Sequence, residues 1–431
     1  MNRRFIFALF TSVAAAFLGG CSGSGTPARM PPTSNQNFSD SAPPPGSSGY
    51  QQLYAFAGGK DGAAPRAGLI EVNTALYGTT QLGGGTICQY FFGCGSVFKV
   101  SITGTERVLH GFTKSDGAYP VTRLLNVNGT LYGTTSEGGA KNGGTVFKLS
   151  TSGTAQTIRT FNGPNGWFPA GDLTELNGVL YGTTFTGGDK SCMVRGSKTC
   201  GTVFGLSVAG KKRLSYAFGR GSNSHDAARP YAGLVALNGE LFGTTTFGGA
   251  HGKGTVFAIA PSGKERVVYS FHGSDGFYPA APLVVVQGKL YGTTESGGAT
   301  YNGAVFEVSP SGKEQTLYSF RGGRDGASPE DGLVYIKGAL YGTTYAGGGA
   351  GCYFYGGDSP GCGTIFKITT TGAKTILYRF KGGEDGEGPT AALIAVDRTL
   401  YGTTVAGGSG NCPFYVATYY TGCGTVFKIS P

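Results

Sequence analysis

The pentapeptide Leu-Tyr-Gly-Thr-Thr begins at Leu76, Leu131, Leu180, Leu290, Leu340 and Leu400, and Leu241 opens a seventh copy with Phe242 in place of Tyr. A motif written seven times at a period of roughly 50 residues means an array of one supersecondary unit, stacked or closed into a ring. Each copy holds four β-prone runs; in the fifth they are 282–286, 289–294, 304–308 and 315–320. Asn-Gly or Gln-Gly separates the first two runs, at Asn128, Asn177, Asn238 and Gln287. Such pairs supply the positive φ of a two-residue hairpin. No stretch of the repeats sustains a 3.6-residue apolar period, so helix should be scarce. The pattern predicts an all-β fold, a seven-bladed β-propeller of four-stranded antiparallel blades. A linear solenoid needs distinct polar caps, and the end repeats carry none.

The array begins with a lone fourth-type strand at 51–56 and ends on a third-type strand at 424–430. The first is therefore expected to complete the last blade, 53–56 against 426–429, and lock the ring. In this reading the pentapeptide is the second strand of each blade and is structural. Leu and Tyr pack between blades, Gly admits a neighbouring backbone, and the threonines bond along the strand.

Eighty glycines among 431 residues would suit a disordered chain, but 39% of the residues are apolar and the glycines recur at fixed places. Ahead of the repeats lie two further segments. Residues 1–20 read as a signal peptide, with Arg3 and Arg4 before a short apolar run. Leu-Gly-Gly-Cys at 18–21 resembles a bacterial lipoprotein lipobox. The resemblance implies cleavage before Cys21, lipid on that cysteine as a membrane anchor, and, with Ser22 following, an outer-membrane address in the cell envelope. Residues 21–49 are the lipidated cysteine and a Ser/Pro/Gly linker too poor in apolar side chains to order itself. Residues 50–431 form the propeller, expected as a monomer. The net charge of +10 suits a mildly basic surface. An exported address and the lack of an arginine-rich run argue against nucleic acid as a partner.

The composite pattern LYGTTxxGG…GTVFKxxxxG…LYSFxGGxDGxxPxxGL resembles the GloVer tandem repeat of bacterial surface proteins with variable anchors. The likeness runs from about Gln51 to Pro431. It implies an exported, anchored repeat protein and brings no catalytic motif with it. The fourth copy departs most, with Ser-His-Asp-Ala-Ala-Arg-Pro at 224–230. Kelch propellers are a looser likeness, through the Gly pair and the period.

Apart from Cys21, eight cysteines fall as Cys88/Cys94, Cys192/Cys200, Cys352/Cys362 and Cys412/Cys423, each pair between the second and third strands of one repeat. In an oxidising compartment they are expected as four local disulfides. A metal site is the rival reading, without paired histidines or Cys-x-x-Cys spacing to support it.

Strand order places these loops, and the DGxxP loops that open each repeat, on one face of the ring. Variable loops on a rigid scaffold are where binding residues gather. Three consecutive repeats, six, seven and one, carry aromatic loops. They bring Tyr353, Phe354, Tyr355, Phe414, Tyr415, Tyr419, Tyr420, Tyr90, Phe91 and Phe92 into one arc. The arc is a candidate recognition surface for sugar rings or a protein partner; its alternative is rings packed on one another over the central channel.

Asp61, Asp116, Asp275, Asp325 and Asp385 recur in DGxxP, with Asn165 and Asp226 in the matching places. Calcium binding and acid–base chemistry are readings of such a ring. A side chain that bonds its own turn is the other, and Asn165 favours it. The four histidines are scattered, and no nucleophile motif, phosphate loop or metal spacing calls for a cofactor. The expected function is a lipid-anchored, non-catalytic binding scaffold for glycan or surface protein. The alternatives are an enzyme (hydrolase or lyase) acting on extracellular polysaccharide, and a structural envelope protein.

Overall fold

The computed structural model describes residues 49–88, 93–188, 192, 199–219, 227–349, 351–352, 361–412 and 422–431. They form seven antiparallel blades and one two-stranded ribbon; six blades take four strands in chain order, and the seventh joins the last three strands to Gln51–Ala55. Blade 1 is Ile70–Val72, Ala75–Thr80, Ser96–Ser101 and Glu106–Gly111. The other blades repeat it, and the first strand of blade 7 lies beside that of blade 1. Among the described residues the only helices are two 3-10 turns, Gly323–Asp325 and Gly383–Asp385.

The hairpin chemistry holds in every blade. Both residues of each first-to-second turn take positive φ, as in Asn128 at 50° and Gly129 at 81°. Thr74 and Arg398 do so without being glycine. The first strands are shorter than their apolar runs: in blade 5 only Val284–Val286 is strand. Pro282 and Leu283 leave the ladder for the channel wall and the blade core respectively.

Closure follows the expected pairing, with a shifted register. Gln51–Ala55 pairs antiparallel with Thr425–Ile429, matching Gln51 to Lys428 and Tyr54 to Val426. Leu53 sits at a register shift between Gln52 and Tyr54. The same irregularity recurs between third and fourth strands elsewhere, at Val97/Phe98 and Ile365/Phe366 among others. A bulge there adds twist to the outer edge of each blade.

Packing between blades repeats seven times. The phenylalanine that ends each fourth strand meets, near edge-on, the third-strand phenylalanine of the next blade: Phe112 with Phe147, Phe271 with Phe306, Phe380 with Phe427, at centroid distances of 5.1, 5.0 and 5.3 Å. Phe56 makes that contact to Phe98 at 5.0 Å. The closing strand therefore supplies both the missing ladder and the missing ring contact between blades 7 and 1.

The glycine of the pentapeptide has a different purpose from the expected one. It faces a phenylalanine ring rather than a neighbouring backbone. A Cβ on Gly292 would lie 2.7 Å from Cζ of Phe306, its cross-strand partner, and 2.8 Å from Cδ2 of Leu283. Gly78, Gly133, Gly182, Gly243, Gly342 and Gly402 stand against a phenylalanine in the same way. The two threonines divide their tasks. The second bonds within its blade, as Thr344 Oγ1 to Thr364 Oγ1 at 2.8 Å. The first donates to a carbonyl of the following blade: Thr183 to Ala232 at 3.0 Å, Thr293 to Asp331 at 3.1 Å, and Thr403 to Ala67 at 3.5 Å across the closure.

Candidate functional site

All four expected disulfides are present, Cys88–Cys94, Cys192–Cys200, Cys352–Cys362 and Cys412–Cys423. They point to an oxidising, non-cytosolic compartment. The DGxxP loop of each blade is bridged by backbone to that blade's second-to-third-strand loop, as Ala63 to Leu82 and Glu387 to Ala406. Both loop sets thus share one face. The aromatic arc expected there (Tyr90, Phe91, Phe92, Tyr353, Phe354, Tyr355, Phe414, Tyr415, Tyr419 and Tyr420) lies outside the described residues, as do Cys21 and Asp226.

The carboxylates of the DGxxP turns are engaged in the turns themselves. Asp385 accepts the Lys381 N–H at 2.8 Å and the Tyr378 hydroxyl at 2.5 Å. Asp61, Asp275 and Asp325 repeat this with Tyr54, Tyr269 and Tyr318, and Asn165 accepts the Asn162 N–H at 2.9 Å. Among the described residues no three His, Cys, Asp or Glu side chains stand close enough together to hold a metal.

What the turns position is the next residue. In every blade the residue before the DGxxP proline has positive φ, from 54° at Ala64 to 66° at Phe168. Its N–H donates to a carbonyl at the end of the preceding blade's loop: Ala64 to Cys423 at 2.8 Å, Tyr119 to Cys94 at 2.8 Å, Gly388 to Cys362 at 3.0 Å. This left-handed kink costs on the order of 1 kcal/mol in a non-glycine residue. It turns the chain over the rim and delivers the residue after proline to the central axis.

Those seven residues, Arg66, Val121, Ala170, Tyr231, Ala280, Glu330 and Thr390, all line one cavity of about 270 Å³ at the channel's long-loop end. The residues that directly follow three of the pentapeptides, Phe185, Thr246 and Glu295, complete its wall with Trp167, Phe168, Asp172 and Asp331. The cavity has two unlike sides. Blades 3 and 4 form an aromatic wall, with Phe185 6.4 Å from Phe168 and perpendicular to Tyr231 at 5.7 Å. The Arg229 guanidinium backs it, 5.4 Å from Phe185 and from Phe247. Trp167 stands at the mouth, 36% exposed.

Glu295 of blade 5, Glu330 and Asp331 of blade 6, and Asp172 of blade 3 supply the cavity's acids. Asp172 and Asp331 tie neighbouring blades together: Asp172 accepts the Arg123 N–H at 2.7 Å, and Asp331 those of Gly332 and Ala392 at 2.6 Å each. Burial, and then the charge of Asp172, push Asp331 up to about 7 against those bonds. Glu295 and Glu330 accept no hydrogen bond from the described residues. Burial raises both well above the carboxylate range; for Glu295 the charge of Glu330 adds to it, and for Glu330 Arg66 opposes it.

Sequence reasoning placed the long loops on one face and missed this cavity. The signal was present: the position after proline varies from copy to copy inside an otherwise constant frame.

The Gloeobacter/Verrucomicrobia repeat family model matches residues 41–195 and 192–413. No functionally curated protein matches the chain. Among solved structures, a streptogramin B lyase is similar with a TM-score of 0.55 at 13% identity, covering 88% of this chain and 96% of that one. Virginiamycin B lyase from Staphylococcus aureus is similar with a TM-score of 0.55 at 11% identity, over 89% and 99%. A europium-containing methanol dehydrogenase gives 0.52 at 11% identity, over 89% and 93%. At such identities the likeness is one of fold alone.

Proposed function

This chain belongs to the Gloeobacter/Verrucomicrobia repeat family, and on that premise we propose that it is an exported envelope protein that binds glycan, without catalysis, at the long-loop end of its channel. The observation that carries the reading is the two-sided cavity. A pyranose presents an apolar C–H face and a rim of hydroxyls. An aromatic wall of Phe168, Phe185 and Tyr231 opposite Glu295 and Glu330 offers a stacking surface and hydrogen-bond acceptors to such a ring. At about 270 Å³ the cavity suits the end unit of a chain, and the aromatic loops of blades 6, 7 and 1 are proposed as a second contact surface for that chain. Lipid at Cys21 and an outer-membrane address complete the proposal; no helix among the described residues is long and apolar enough to cross a membrane.

A glycan array tests it, with wild type beside Tyr231→Ala, Tyr90→Ala and Tyr415→Ala. Loss of the bound set in Tyr231→Ala supports the channel seat, and unchanged signals in the two loop variants remove the arc. A wild-type array with no signal turns the reading toward a protein ligand or a structural role. A second reading, an enzyme on extracellular polysaccharide, draws on Glu295 and Glu330 holding protons near neutral pH. Reducing-sugar release from mixed polysaccharides, abolished in Glu330→Gln, would establish it.

A further inference from the structure

Among the described residues, the acids that line the cavity outnumber the cations beside them. Asp172, Asp331, Glu295 and Glu330 face Arg66 and Arg123, the latter 3.4 Å from Asp172 through Nε. With every group ionised that is four carboxylates against two guanidinium groups, with Arg229 behind the aromatic wall as a third. Asp172 and Asp331 are held by backbone N–H groups; Glu295 and Glu330 have no such donors. Two hydroxyls that line the same cavity, Thr246 Oγ1 and Thr390 Oγ1, are buried and have no partner among the described residues; their residues are 1% and 8% exposed. Buried polar groups are normally satisfied. Acceptors and hydroxyls left open around one cavity mark where a ligand's donors belong.

We propose that the cavity recognises an amino sugar with a free amine, its ammonium group between Glu295 and Glu330 and its ring against Phe185 and Tyr231. The inference rests on the glycan reading and narrows it to one substrate class. Calcium or magnesium would want six or more oxygen ligands, and no cluster of three acidic, His or Cys side chains exists for a metal among the described residues. A uronic acid would meet an excess of like charge. A neutral sugar would leave the proton on the pair and forgo the charge-assisted bonds that an ammonium group makes. An ammonium group brings three donors and the missing charge, and the aromatic wall attracts it further.

Proton exchange follows from the same placement. Glu295 and Glu330 line the same cavity as Arg66, Asp331 and Tyr231, and burial keeps a proton on the pair. A bound ammonium group displaces it. Affinity therefore rises with pH as the pair ionises, so long as the amine stays charged.

The test is calorimetric titration of the whole chain with three probes: glucosamine tetrasaccharide with free amines, its fully N-acetylated counterpart, and cellotetraose. The free-amine probe is expected to bind about tenfold more tightly than either of the others, the margin of one charge-assisted hydrogen bond. Its binding should release protons to the buffer. Glu295→Gln and Glu330→Gln should each remove most of that margin and the proton release. Gln81 occupies the position of Glu295 in blade 1, so the frame accepts glutamine there. Equal affinity for the acetylated probe overturns the amine inference and leaves the glycan reading standing. No binding of any probe also overturns it, and the array then decides the broader reading.

Discussion

Thr294 shows how much one side chain carries in this architecture. In six blades the second threonine of the pentapeptide bonds across to a hydroxyl at the start of the third strand: Thr80 to Ser96 at 2.7 Å, Thr135 to Thr145 and Thr404 to Thr425 at 2.8 Å. In blade 5 that partner is Ala304, and Thr294 Oγ1 is buried without one. Ala304→Thr should restore the pair and raise stability by about 1 kcal/mol, read as a higher urea midpoint at unchanged m-value. A lower midpoint would show that blade 5 has closed over the space. The pentapeptide's structural role was legible from its repetition. That its glycine makes room for a phenylalanine ring was not, because cross-strand register decides which residue faces Gly292, and register is absent from a linear pattern.

Among elements, the second-to-third-strand loops tie blade to blade, and the disulfides brace that tie. In the four bridged blades the second cysteine is itself the carbonyl acceptor for the next blade: Cys94 for Tyr119, Cys200 for Arg229, Cys362 for Gly388, Cys423 for Ala64. Opening a bridge therefore loosens a joint between blades as well as a loop. The double substitution Cys352→Ser, Cys362→Ser should cost about 2–3 kcal/mol, measured by reversible chemical unfolding, with the β-sheet circular dichroism retained. No loss of stability would mean the loop is held by its other contacts. Pairing was readable because the repeat puts both cysteines in one loop. The second cysteine's place in the blade joint was not, since it depends on the left-handed kink before each proline.

Only the whole ring makes the cavity, because one residue from every blade lines it. Its acids set how stability varies with pH. Glu295, Glu330 and Asp331 keep protons in the folded chain at pH values where the unfolded chain has released them. The unfolded state then binds fewer protons, so stability falls as pH rises from the ordinary carboxyl value of 4.5 through neutrality. Melting temperature should be higher at pH 5.5 than at 8.5. Glu295→Gln should recover part of the difference at the higher pH, on the order of a few kcal/mol, and little at the lower. A flat profile in both proteins would mean that water or ions reach these groups freely. The ring and its closure were legible because they repeat. The cavity was hard to see because its residues differ from copy to copy, and only closure brings them together. Closure has one more consequence. The Ser430 N–H donates to the Gly49 carbonyl at 3.3 Å, so the polypeptide is topologically a circle with a nick. Joining those neighbours through a short bridge and cutting at another hairpin tip, such as Asn177-Gly178, would move the nick while every blade keeps its partners.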